Sequence, residues 1–197
     1  MWFTYFFISF VAVMFVHRLC ETFSKREKEK GKVFNRWTLY CLQVAHVLII
    51  AGVVFEYFYL KPKINFYVTA LGMFMFLFAL IGRNWSIRTL GRYHSIHIEI
   101  RENHKLIKDG PYKYSRNPYY FCVIFEVMGL PLIANSYFVF LFALFVYVPL
   151  MGIRIYFEQK ALEEKFTEEY LSYRREVPLL FPGFKKIRKE LREGVNV

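Results

Sequence analysis

Cysteine is scarce in this chain of 197 residues, and acidic residues are heavily outnumbered by basic ones. The three cysteines, Cys20, Cys41 and Cys122, lie far apart in apolar sequence, in odd number and without metal-ligand spacing, so no disulfide framework is expected. They read as small buried hydrophobes. Charged residues of both signs make up only 22% of the chain, against 56% apolar and 21% aromatic residues, which excludes a disordered chain and an ordinary soluble one. Internal repeats and low-complexity tracts are also missing, which weakens a transporter reading built on inverted repeats. The first apolar stretch lacks a basic leader and a small-residue cleavage site, so Met1 to Val16 is expected to be a retained span and not a signal peptide.

What is present is long apolar sequence. Five stretches stand out: Trp2 to Val16, Trp37 to Leu60, Ile64 to Gly82, Tyr119 to Ile133, and Tyr137 to Ile153. A helix crossing ~30 Å of hydrocarbon needs ~20 residues, so the second and third qualify outright, while the others need their polar flanks. Only Ala134, Asn135 and Ser136 separate the fourth from the fifth, which predicts a tight antiparallel pair. Lys and Arg in short loops stay on the cytoplasmic side. Of the 27, seven lie in residues 18–36, eight in 83–118 and ten from 154 onward, leaving only Lys61 and Lys63 for the other side. This alternation predicts an outer N-terminus and a cytoplasmic C-terminus, and it turns the net charge of +11 into a signal of membrane orientation and attraction to anionic lipid instead of nucleic acid. The expected fold is all-α, a polytopic membrane protein of about five transmembrane helices, with the residues that could do chemistry concentrated on the cytoplasmic side. It is one domain over residues 1–197, with three N-terminal spans in 1–82 and the chemistry in 83–197.

Ionisable groups within the spans are few. Glu56 lies near the outer end of its span and is expected to snorkel; Glu126 lies mid-span and is either a hydrogen-bonded interior carboxyl or part of a substrate pocket. His46 reads as a packing residue. His94 and His97 could share a helix face, but a third ligand at firm spacing and a glutamate base are missing, so no metal is expected. Asp109-Gly110-Pro111 makes a turn, and Asn117-Pro118 opens the fourth helix, whose N-terminal amides suit an anionic group. Arg154 and Glu158, four apart, share one face of a helix leaving the membrane. On residues alone they could be no more than an interfacial ion pair.

Taken together, these strings resemble the isoprenylcysteine carboxyl methyltransferase family. The resemblance rests on His104-Lys105-Leu106-Ile107, Gly110-Pro111-Tyr112, Arg116-Asn117-Pro118-Tyr119-Tyr120, Arg154 with Glu158, and Phe166-Thr167-Glu168-Glu169-Tyr170-Leu171-Ser172-Tyr173. It covers roughly Arg83 to Pro182. It implies an integral membrane enzyme with a cytoplasmic cofactor pocket that moves a methyl group from S-adenosylmethionine to a lipophilic acceptor arriving from the bilayer. The positions it assigns to the cofactor are His97, His104, Lys105, Leu106, Ile107, Tyr112, Asn117, Pro118, Tyr119, Tyr120 and Glu158. Arg154 becomes the catalytic, substrate-facing residue, and Glu126 is a further candidate on the substrate side. Two positions depart from the family pattern: its usual histidine is Asn117, and the second of its paired glutamates is Gln159. The acceptor is therefore left between a prenylated cysteine carboxylate and an alkylpyrone hydroxyl. A phospholipid amine N-methyltransferase and a non-catalytic lipid-binding protein stay as alternatives.

Overall fold

The computed structural model describes residues 2–23, 32–94, 98–100 and 106–180. The elements in order are α1 (Trp2–Phe23), β1 (Lys32–Phe34), α2 (Arg36–Phe55), α3 (Phe66–Leu90), β2 (Ile98–Ile100), α4 (Pro118–Ile133), α5 (Tyr137–Phe142) and α6 (Val148–Glu176). α2 runs on through a π-helical turn, Glu56–Leu60, and a second such turn, Ala143–Tyr147, joins α5 to α6 without interruption. That second turn ends two residues before Pro149, which has no N–H to give to the preceding turn, and a widened turn is a way for a helix to absorb the missing bond. Among the described residues, three helical runs are long and apolar enough to cross a membrane: Arg36–Leu60, Phe66–Leu90 and Tyr137–Glu176. Two shorter apolar runs, Trp2–Met14 and Pro118–Ile133, accompany them. The helical membrane fold therefore stands, with the fifth apolar stretch lengthened by its polar flank and the fourth remaining short.

α3 and α4 form the tightest seam. A methyl group on Gly129 would stand 2.8 Å from the Gly72 carbonyl oxygen, and one on Gly72 would stand 2.7 Å from the Ile133 nitrogen, so only glycine lets the two backbones meet. Small residues serve this purpose in lipid, where apolar side chains gain little from leaving one another's company. The same seam buries an ion pair, Arg83 Nη1 to Glu126 Oε2 at 3.3 Å. At its far end the turn between α4 and α5 is locked by Asn135, which is fully buried at positive φ. Asn135 accepts from the Asn65 amide at 2.9 Å and donates to the Thr69 hydroxyl at 2.8 Å. Thr69 in turn donates to the Ile133 carbonyl.

Glu56 does not snorkel. It is buried, and its carboxylate accepts from the backbone amides of Phe138 and Val139 at 3.3 and 3.1 Å. A carboxylate at the positive end of α5 satisfies amides that no earlier turn can reach, and this outweighs the gain from reaching toward water.

β1 and β2 pair antiparallel, with Val33 opposite Glu99. The pairing joins the α1–α2 and α3–α4 connections, so two of the three basic segments lie on the same side of the bundle. α6 breaks at Thr167 (φ 42°, ψ −111°), which reverses the chain and folds the last turns back along the helix. There Arg174 pairs with Glu163 at 3.1 Å. The Tyr173 hydroxyl donates to the Tyr112 carbonyl at 2.6 Å, and Tyr170, Tyr173 and Val177 form a small second core with Leu106, Leu162 and Phe166.

Two substitutions test the seam. Arg83→Met should lower stability by about 3–5 kcal/mol by stranding Glu126, whereas Arg83→Met with Glu126→Met should recover most of the loss. Thermal unfolding in detergent reads the difference, and equal losses in the single and double variants would contradict it.

Candidate active site

The site is assembled where the N-terminus of α4 meets the emerging half of α6. Pro118 suits the first turn of α4 because it lacks the N–H that would have no partner there, and the first intrahelical bond runs from the Phe121 amide to the Asn117 carbonyl. One turn in, Tyr120 points at α6. Its hydroxyl donates to Glu158 Oε2 and accepts from Arg154 Nε at 3.1 Å. The Arg154 guanidinium lies 5.8 Å from the Tyr120 ring centre and reaches across to the Thr38 hydroxyl on α2 at 3.1 Å. Arg154, Tyr120 and Thr38 are buried. Charged groups in such a place need every available partner, and hydrogen bonds to them are worth about 1.5–3 kcal/mol each.

Asn117 sits beside this cluster but does not cap α4 with its side chain. Its Oδ1 accepts from Gln159 Nε2 at 3.2 Å, and its Nδ2 donates to the Leu179 carbonyl at 3.0 Å. Gln159 Oε1 receives Arg116 Nη1 at 2.6 Å and also the Tyr170 hydroxyl. Arg116 completes the clasp by donating Nε to the Val177 carbonyl and its own amide to the Pro178 carbonyl, at 3.0 and 2.9 Å. The segment after α6 is thereby held against the start of α4.

Tyr112 lies in a short 3₁₀ turn, Gly110–Lys113, and is buried. The turn depends on Gly110, at φ +55°, where a Cβ would meet the Thr89 hydroxyl at 2.7 Å. Burial first, and the nearby Glu158 carboxylate second, hold the Tyr112 phenol well above its usual range, so it stays protonated at neutral pH. Tyr119 lies with its ring centre 5.2 Å from that of His94. Leu106 packs against Tyr170 and Tyr173, and Ile107 follows it half-buried.

The structure thus brings Tyr112, Asn117, Pro118, Tyr119, Tyr120, Arg154 and Glu158 to one end of the bundle. His97, His104 and Lys105 lie outside the described residues. Glu126 is directed elsewhere, to Arg83 in the α3–α4 seam. Sequence reasoning missed Thr38, for which there was no signal. It also missed Arg83, counted only as a loop cation although a mid-span glutamate calls for a partner. Arg116 and Tyr170 were within the motifs but had no assigned task.

The sequence of residues 70–164 matches the model of the isoprenylcysteine carboxyl methyltransferase (ICMT) family. The matched segment is just under half of the chain and holds Tyr112, Asn117, Tyr120, Arg154 and Glu158. It is 28% identical over 161 residues to uncharacterized protein YpbQ of Bacillus subtilis (strain 168), covering 78% of this chain and 95% of that one. It is 30% identical over 119 residues to protein-S-isoprenylcysteine O-methyltransferase B of Arabidopsis thaliana, covering 59% of this chain and 60% of that one. Among solved structures, the eukaryotic intramembrane Ras methyltransferase ICMT superposes with a TM-score of 0.62 at 22% identity, over 76% of this chain and 54% of that one. That likeness establishes the fold. The chain spans less than two thirds of the Arabidopsis protein and of the solved ICMT chain, and nearly all of the Bacillus protein.

The raised Tyr112 pKa has a consequence for stability. A phenol whose folded pKa exceeds its unfolded value of 10.0 contributes stability below that pH, and the contribution is lost as pH rises through the folded value. Tyr112→Phe removes this linkage, so the fall in unfolding temperature above about pH 10 should be shallower than in the unmodified chain. Identical alkaline profiles would show that Tyr112 is not the buried phenol described.

Proposed function

We propose that this chain is a membrane methyltransferase that uses S-adenosylmethionine to methylate an oxygen of a lipophilic acceptor, such as a prenylated cysteine carboxylate or an alkylpyrone hydroxyl. The observation that carries the reading is the single cluster formed by Tyr120, Arg154 and half-buried Glu158, whose residues come from two motifs far apart in sequence and meet through one phenol oxygen.

The donor set suits such a cofactor. Glu158 supplies a carboxylate for an ammonium group, the aromatic faces of Tyr112, Tyr119 and Tyr120 suit a cationic centre or a planar base, and the positive end of α4 at Asn117 and Pro118 favours a carboxylate. The family resemblance adds His97, His104, Lys105, Leu106 and Ile107 to this set. When bound, S-adenosylmethionine supplies an electrophilic methyl group on a positively charged sulfur.

The chain's own residues then have defined tasks. Tyr120 fixes the Glu158 carboxylate by donating to it, and accepts from Arg154 on the same oxygen, so a carboxylate and a guanidinium stay close without depending on direct contact. Thr38 holds the other arm of Arg154 and ties its position to α2. An acceptor that is already anionic at neutral pH needs no strong base. What it needs is a cation to orient its oxygen and exclusion of water, and holding reactants aligned can supply about 7–11 kcal/mol of a barrier. We assign the orienting role to Arg154. With the basic loops on the cytoplasmic side, the polar cofactor would arrive from the cytosol and the acceptor from the bilayer.

Glu158→Gln should weaken S-adenosylhomocysteine binding at least about tenfold by calorimetry in detergent, since it removes one charge-assisted contact. Arg154→Gln should leave that affinity within a few-fold and lower kcat by about 10²-fold or more, as expected for a group stabilising developing charge arrangement. Methyl transfer from radiolabelled S-adenosylmethionine into a total lipid extract, with a farnesylcysteine analogue alongside, tests the activity itself. Base-labile label is the expected product for a carboxylate acceptor. Absence of both binding and transfer would overturn the proposal.

A further inference from the structure

α6 presents a second face that the methyl-transfer reading does not use. Arg154 and Glu158 look toward α2 and α4, whereas Gly152, Ile155, Gln159 and Lys160 border a cavity of about 690 Å³ between α6 and the returning segment at Leu179 and Leu180. This volume lies within the range of small-molecule sites, ~300–1,000 Å³.

Its two ends differ in chemistry. The upper end begins at Gly152, inside the apolar run that closes at Ile153, and is walled by Ile155, Leu179 and Leu180. A Cβ built on Gly152 meets nothing within 4 Å, so the space beside it is open. Lys160, eight residues and ~12 Å further along the helix, stands with Arg116 partway down, and Glu163, Glu164, Thr167 and Arg174 line the lower end. Among the described residues, the acceptors of the Arg116 guanidinium are the Gln159 amide oxygen, the Tyr170 hydroxyl and the Val177 carbonyl, all neutral. Its charge is held in place without being cancelled. Of the other charged groups on the rim, Arg174 and Glu163 neutralise each other at 3.1 Å, and Glu164 is the remaining acid. An apolar slot beginning within the apolar run of α6 and leading to a fixed guanidinium and an ammonium matches one class of guest.

We infer that this cavity binds an anionic single-chain amphiphile from the membrane, with its tail along Gly152, Ile155 and Leu180 and its acidic head at Arg116 and Lys160. The site lies on the opposite side of α6 from the Tyr120–Arg154–Glu158 cluster, so its occupation does not depend on methyl transfer.

The test uses spin-labelled stearic acid and its methyl ester with the full chain in neutral detergent, reading the immobilised fraction by electron paramagnetic resonance. The acid should bind at least about fivefold more tightly than the ester. Gly152→Phe should weaken the acid about tenfold by filling the slot, and Lys160→Gln should narrow the preference for acid over ester without abolishing tail binding. S-adenosylhomocysteine affinity should be unchanged in both variants, which separates this site from the methyl-transfer cluster. Equal affinity for acid and ester, or wild-type binding of the acid by Gly152→Phe while that variant remains folded, would overturn the inference.

Discussion

The Tyr120 hydroxyl stands between the buried Arg154 guanidinium and the half-buried Glu158 carboxylate, donating its hydrogen bond to Glu158 and accepting one from Arg154. Hydrocarbon offers no partner to a polar group, so each such group in the bundle must find one within the protein. The same constraint explains the rest of the architecture. Glu126 is placed on Arg83, Glu56 on two amides of α5, and Asn135 on Asn65 and Thr69. Each of these contacts crosses between elements that are distant in sequence. The scarce polar side chains therefore set which helices meet and in what register, while the abundant apolar ones make the meeting tight.

Much of this was legible in the chain and some was not. The apolar runs announced the helices, because length and composition act over whole segments. The pairing of β1 with β2 was not legible: three residues on each strand are too few for an alternating pattern to stand out from a loop. The break at Thr167 escaped for a related reason. No glycine or proline marks it, and a β-branched residue at positive φ is an unfavourable choice that only the surrounding contacts hold in place. Once the chain reverses there, the tyrosines of the tail motif acquire a purpose, since Tyr170 and Tyr173 then reach Gln159 and the turn around Tyr112. Glu56 was misjudged because a sequence does not show that another helix begins beside it.

The candidate site was legible at the level of motifs and illegible at the level of contacts. Spacing put Arg154 and Glu158 on one face of a helix, and the structure keeps them there. It could not show that a tyrosine from α4 would come between them, or that Thr38 from the first turn of α2 would hold the guanidinium. Glu126 presents the converse case. Its position mid-span marked it as costly to bury, and cost alone does not distinguish a structural pair from a pocket. Six residues separate it from Tyr120, which on a helix is a rotation of ~240°, so the two side chains serve different neighbours.

The departure from the family pattern at Asn117 and Gln159 bears on charge more than on shape. The two amides hydrogen-bond to each other, and the chain of donors runs in one sense, from Arg116 and Tyr170 to Gln159, from Gln159 to Asn117, and from Asn117 to the Leu179 carbonyl. A carboxylate at position 159 could accept from Arg116 and Tyr170 equally well, but it would have no proton to pass to Asn117 and would stand beside the Glu158 carboxylate in a poorly solvated place. It would also cancel the guanidinium it touches. With glutamine there, the clasp on the returning segment is kept, Glu158 has no acidic neighbour on its C-terminal side, and the cation in the cavity retains its field. Glutamine at position 159 thus bears on both faces of α6, holding Asn117 on one side and leaving Arg116 beside neutral acceptors on the other.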